Sequence, residues 1–89
     1  MNNSEDYKGY RGRSLEVLQN FNAMVWSEVY LETTDGTFDG IILPRSETAD
    51  DQHIVLKLPS GYNIGLRADK VQNIKILGRK IAQYKIPEK

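Results

Sequence analysis

Any chemistry in this chain would have to begin at its one histidine. His53 closes the run Asp50-Asp51-Gln52-His53, which sets an imidazole two and three residues from two carboxylates. Such a group could in principle hold a cation or pass a proton. One imidazole and two loop carboxylates make a thin donor set, however, and a nucleophile needs a base within hydrogen-bond reach. The chain has no cysteine, and no serine adjoins His53. Glu47 and Asp51 fare no better as an acid/base pair, because nothing in the sequence builds a cleft around them. The glycines stand in turns and strands, without the spacing that cradles a phosphate. No catalytic, cofactor-binding or metal-binding residue is assigned.

Recognition chemistry has more material. Tyr7-Lys8-Gly9-Tyr10-Arg11-Gly12-Arg13 interleaves aromatic rings with cations, the combination that stacks on bases and neutralises phosphates. Tyr7, Tyr10, Arg11 and Arg13 are therefore the RNA-binding candidates. The plainer reading is a flexible tail over residues 1–13 that packs a tyrosine somewhere, since glycines and polar residues dominate it and Glu5 and Asp6 stand beside it. Arg45, Glu47, Asp51, His53, Tyr62 and Asn63 are the partner-binding candidates. Arg45 follows Pro44 and faces an acidic loop, where it either pairs with Glu47 or Asp51 or reaches a partner. Tyr62 and Asn63 most simply lock a chain reversal, and Trp26 reads as a packing residue at a helix-to-strand junction.

These residues need a frame, and the hydrophobic pattern supplies one. Ser14 reads as a helix N-cap with Glu16 in the first turn, and Leu15, Leu18 and Phe21 recur at helical spacing, which predicts a short helix over 14–21. It is too short to stand alone in water and must rest on something. Strands are expected over 25–33, 37–43, 53–58, 62–66 and 71–77, the first with Val29 and Leu31 on one face. Asp35-Gly36 marks a hairpin whose two turn residues tolerate φ > 0. Gly40 marks a bend or bulge in mid-strand, Pro59-Ser60-Gly61 a turn with a positive φ at Gly61, and Arg67–Lys70 a single helical turn. Five strands, a long second loop and one turn before the last strand describe a mostly β chain, a small five-stranded SH3-like or Sm-like barrel with a short N-terminal helix. Its closure is expected to remove sheet edges and to bury Val29, Leu31, Ile41, Leu43, Ile54, Leu56, Ile64, Leu66, Val71, Ile74 and Ile76. The expected organisation is a tail over 1–13, the barrel with its leading helix over 14–78, and a linker over 79–89.

With 89 residues the chain has room for one small domain with a thin core. Absence of cysteine fits a reducing interior, and no apolar run approaches the ~20 residues that cross a bilayer, so a cytoplasmic location without a membrane partner is expected. Acids and bases balance at 12 each, which is unlike a uniformly basic nucleic-acid binder. They are unevenly spread. Glu28 to Asp51 is acidic apart from Arg45, whereas Arg67 to Lys89 is basic apart from Asp69 and Glu88, a dipolar surface that orients a domain against neighbours.

One stretch also resembles a known family. Gly40, Pro44, Arg45 and Glu47, then His53-Ile54-Val55 with Lys57-Leu58, then Gly61-Tyr62-Asn63 and Gly65, match the pattern of the small N-terminal domain of the D subunit of archaeal glutamyl-tRNA(Gln) amidotransferase. The likeness covers roughly residues 37–77. It implies an accessory or assembly domain in protein biosynthesis, belonging to a tRNA-dependent ligase complex with glutamine as amide donor. In that family the D subunit releases ammonia from an asparaginase-like domain. The E subunit binds tRNA and uses ATP to convert Glu-tRNA(Gln) to Gln-tRNA(Gln). The family's Thr-Gly-Gly-Thr nucleophile segment does not occur here, so the resemblance implies the leading domain alone, with no catalytic residue and no cofactor of its own. The implied partners are the asparaginase-like domain, the E subunit and, as a further candidate, tRNA. The alternative is a stand-alone Sm-like or SH3-like RNA-binding module.

Overall fold

A computed structural model describes residues 4–46 and 48–78 of the chain. They form helix α1 (Gly12–Asn20) and strands β1 (Glu28–Thr33), β2 (Gly36–Ile42), β3 (His53–Lys57), β4 (Asn63–Arg67) and β5 (Val71–Gly78), with 3₁₀ turns at Ser4–Tyr7 and Ala68–Lys70. The strands make one antiparallel sheet in the order β4-β3-β2-β1-β5, curled over a single core. This is the small mostly β architecture the sequence predicts. The expected closure is not complete: β4 and β5 end the strand order and do not pair with each other. The three-residue turn Ala68–Lys70 carries the chain between them and leaves a seam.

Alternation in β1 works as read, with Val29, Leu31 and Thr33 buried and Glu28 exposed. In β2 the faces are reversed from expectation. Ile42 is fully buried and Gly40 is buried, while Ile41 and Leu43 are only half-buried. The cause is register. Thr33 pairs with Gly36 across a turn of two residues, which places Gly40 opposite Val29 and Phe38 opposite Leu31, so residues 38, 40 and 42 share the inner face. Neither Thr34 nor Asp35 takes a positive φ; Gly36 does, at 135°. The Thr33 hydroxyl accepts from the Asp35 N–H at 3.0 Å and donates to the Gly36 carbonyl at 2.8 Å, which closes the turn by other means.

Gly40 is the corner the sequence suggests. A Cβ there would lie 2.5 Å from the Lys57 carbonyl oxygen, so β2 and β3 cross too closely for any side chain. They pair only at Ile41–Lys57 and Ile42–Leu56. Val29, Leu31, Ile54, Leu56 and Ile74 occupy the core as expected, with Ile64, Leu66, Val71 and Ile76 packed against it.

Helix α1 covers this core through Val17 and Leu18. Ser14 does not cap it. Arg11 is the N-cap residue and makes no side-chain cap bond, and the buried Ser14 hydroxyl donates back to the Arg11 carbonyl at 2.9 Å. The helix ends where Asn22 turns left-handed at φ 56°. Its N–H donates to Gln19 and that of Ala23 donates to Leu18, the paired bonds of a Schellman cap with asparagine in the usual glycine position.

The segment expected as a free tail is packed as far as it is described. The Asp6 carbonyl accepts from the Val25 N–H at 2.8 Å, the Lys8 carbonyl accepts from the Arg45 N–H at 3.0 Å, and Tyr10 is 5% exposed. Burial of two aromatic rings against a thin core explains why this stretch does not stay in water. Residues 1–3, Glu47 and the expected linker 79–89 lie outside the described residues.

Candidate functional site

The six partner-binding candidates fall at opposite ends of β3. Arg45, Asp51 and His53 gather where β3 begins. Tyr62 and Asn63 stand where it ends, since Asn63 pairs with Lys57. Glu47 lies outside the described residues.

At the first end the loop before β3 is tied to helix α1. The Ser14 N–H donates to the Asp51 carbonyl at 3.0 Å, and the Arg11 guanidinium reaches the Ala49 carbonyl. The Arg45 side chain is 16% exposed and points inward. Its Nη1 donates to the His53 carbonyl at 3.0 Å and approaches the Asp50 carboxylate at 3.4 Å. Of the two roles open to Arg45 the internal one is occupied, with Asp50 rather than Asp51 as the acid. Asp50 is the hub. Its Oδ1 accepts from the backbone N–H groups of Gln52 at 2.7 Å and His53 at 3.1 Å, and both its oxygens lie 3.1 Å from His53 Nδ1. The Gln52 N–H first, and then the His53 ring, hold the Asp50 carboxyl down at about 2. Every part of this arrangement is explained by shaping a loop. Among the described residues no group of three or more His, Cys, Asp or Glu side chains is placed to hold a metal ion.

The RNA-binding candidates do not form a common surface. Tyr10 is buried and its hydroxyl donates to the Leu43 carbonyl at 2.7 Å while accepting from the Val55 N–H at 3.0 Å. Burial, opposed by the Val55 N–H and by Arg45, pushes that hydroxyl up to about 12. Tyr7 packs against the core, and Arg13 pairs with Glu16 at 3.1 Å. The two rings of the pattern therefore serve the interior, while its cations Lys8, Arg11 and Arg13 stay exposed.

The second end carries what sequence reasoning missed. The reversal at 59–61 is closed by backbone bonds, Gly61 N–H to Leu58 and Leu58 N–H to Tyr62, both 2.8 Å. Tyr62 itself is 76% exposed. Beside this turn lies an open groove of ≈ 510 Å³, floored by Ile41 and Leu43, walled by Trp26 and by Leu58-Pro59, and edged by Glu28, Lys57 and Asn63. Trp26 is not the packed residue expected. It is 39% exposed and held at φ 70°, a region bulky residues avoid, by its N–H donating to Ile42 and by the Ile42 N–H donating to the adjacent Ser27. Positive φ at a tryptophan leaves no trace in composition or periodicity. The outward turn of Ile41, which floors the groove, was recoverable from the two-residue hairpin register.

Comparison with known proteins adds the family. The model of the GatD N-terminal domain matches residues 23–77, more than half of the chain. The chain belongs to the GatD N-terminal domain family. Among curated relatives it is similar to the D subunit of glutamyl-tRNA(Gln) amidotransferase from Methanopyrus kandleri, 40% identical over 78% of this chain and 15% of the relative. The same subunit of Methanothermobacter thermautotrophicus is 46% identical over 64% of this chain and 13% of the relative. That of Saccharolobus solfataricus is 32% identical over 92% of this chain and 18% of the relative. The chain thus spans less than a fifth of the length of these relatives. These relatives are D subunits of glutamyl-tRNA(Gln) amidotransferases. Among the described residues no helix is long and apolar enough to cross a membrane.

Proposed function

We propose that this chain is the accessory, non-catalytic domain that leads the D subunit of a glutamyl-tRNA(Gln) amidotransferase and helps to assemble it. Its partners would be the asparaginase-like domain of its own subunit and the ATP-using, tRNA-binding E subunit, in the cytoplasm. The carrying observation is the family match over residues 23–77 to relatives that are several times longer. The side-chain clusters among the described residues support it, since each is explained by loop shaping or packing. The test mixes the purified chain with each partner and separately with glutamine and asparagine. Co-elution with a partner and no amide hydrolysis are expected. Hydrolysis that rises with the concentration of the chain alone would overturn the reading.

An RNA-binding module is the alternative, and less supports it, because Tyr10 is buried and Arg13 is paired with Glu16. Salt-dependent retention of tRNA that weakens on Arg11→Ala and Arg13→Ala would favour it.

A further inference from the structure

The groove beside Trp26 crosses the outer face of the sheet along one register row. Glu28 on β1 pairs with Ile41 on β2, Ile41 with Lys57 on β3, and Lys57 with Asn63 on β4. All four line the groove, so its floor reads acid, aliphatic, base. Glu28 and Lys57 are exposed, and among the described residues neither makes an ion pair. Strands β1, β2 and β3 each have a neighbour on both sides, so no free sheet edge is offered here. A ligand of this groove must be held by side chains and must carry a backbone that needs no ladder. Trp26 supplies an aromatic wall from φ 70°, and backbone strain of this kind gathers where a ligand is clamped. The other wall is Leu58-Pro59.

We infer that this groove takes a proline-bearing peptide segment of another protein, in the polyproline II conformation. A cation of the segment meets Glu28, an anion three residues away meets Lys57, and an apolar residue between them rests on Ile41 beside Trp26. Spacing selects the conformation. Strands lie about 4.8 Å apart, so Glu28 and Lys57, two strands from each other, are separated by about 10 Å. Polyproline II has three residues per turn and a rise of about 3.1 Å, which brings residues i and i+3 to one face at about 9 Å. A ligand in β conformation repeats on one face at about 7 or 13 Å and misses one charge or the other. The conformation has no internal hydrogen bonds and is set before binding, which suits an open groove that can repay little ordering entropy. Charge selects the class of partner. A polyanion would meet Glu28 and a polycation would meet Lys57, whereas a segment with one charge of each sign satisfies both. The apolar floor and the half-exposed Trp26 gain cover at the same time. The inference stands on the groove, and synthetic peptides test it apart from the assembly reading.

Trp26 is the only tryptophan and reports directly. The 89-residue chain is titrated with the capped peptide Pro-Lys-Leu-Pro-Glu-Pro while its emission is followed. A saturable blue shift is expected as the ring is covered. Peptides with one more residue between lysine and glutamate, or with glutamate at both charged places, should bind about tenfold more weakly. Glu28→Lys changes an exposed side chain and leaves the core untouched. It should reverse the preference, so that the peptide with two glutamates binds better than the parent peptide. Absence of a saturable shift with every peptide would overturn the inference, as would equal binding of all of them or an unchanged preference in Glu28→Lys. So would a Trp26 already shielded from acrylamide before any peptide is added. If that shielding grew with protein concentration it would assign the groove to a second copy, and if it did not, to the chain itself.

Discussion

The Tyr10 hydroxyl takes the place of a ladder bond at Val55. Leu43 donates its N–H to the Val55 carbonyl at 3.0 Å, as an antiparallel pair requires. The return bond from the Val55 N–H to the Leu43 carbonyl is absent as a direct contact. The phenol stands between the two, accepting from one at 3.0 Å and donating to the other at 2.7 Å. A residue 45 positions away thus pins β3 to the chain just beyond β2, where the two strands pair over only two residues.

Tyr10→Phe keeps the ring and orphans both backbone groups. Leaving a buried donor and acceptor unpaired costs about 1–3 kcal/mol, so denaturant unfolding should show that loss. An unchanged midpoint would show that water replaces the hydroxyl freely.

Alkaline pH tests the same group. Because burial raises the Tyr10 pKa from 10.0 to about 12, the native state keeps a proton that the unfolded chain releases. Its contribution is complete below pH 10.0 and is lost as pH rises toward about 12. Stability of the parent chain should fall across that window, and the slope should flatten in Tyr10→Phe.

At the acid end the sign is opposite. Asp50 is held at about 2 against an ordinary 3.8, so its contribution is present above 3.8 and lost as pH falls through about 2. Asp50→Asn should flatten that part of the acid limb, read by thermal melts across the window. Asp50 is exposed and shared among Gln52, His53 and Arg45, and high salt should shrink the Arg45 and His53 share first.

Two glycines separate backbone strain from steric fit. Gly61 sits at φ 101° with nothing within 4 Å of where a Cβ would stand, so Gly61→Val should cost roughly 1 kcal/mol or somewhat more through the backbone alone. Gly40→Ala brings a Cβ 2.5 Å from the Lys57 carbonyl oxygen and must push β2 from β3, for which about 1–3 kcal/mol is expected. Melting temperatures should show Gly40→Ala as the more damaging of the two; a harmless Gly40→Ala would contradict the close crossing.

The strands, their order along the chain and the inward face of β1 were legible because each is a local matter of alternation and turn residues. The facing of Ile41-Ile42-Leu43 was not legible from alternation, which cannot choose a face within three consecutive aliphatic residues; only counting back across the hairpin to Val29 and Leu31 chooses it. Ser14 misled because a hydroxyl before an amphipathic stretch reads as a cap, whereas the helix begins earlier and Ser14 is buried in it. For the candidate site, Tyr62 was rightly placed beside a turn, but neither the groove nor the exposure of Trp26 could be read.

Local interactions act between residues a few positions apart, and those the amino-acid order determined by itself: helix stripe, strand alternation, glycine at the tight reversal, and the recurring residues that mark the family. The Tyr10 bridge, the Arg45–Asp50 contact with its carbonyl partners around β3, and a groove assembled from four strands in register depend on segments that meet only when the sheet curls. Their energies come from desolvation and distance in three dimensions, which no one-dimensional spacing encodes, and so only the tertiary structure decided them.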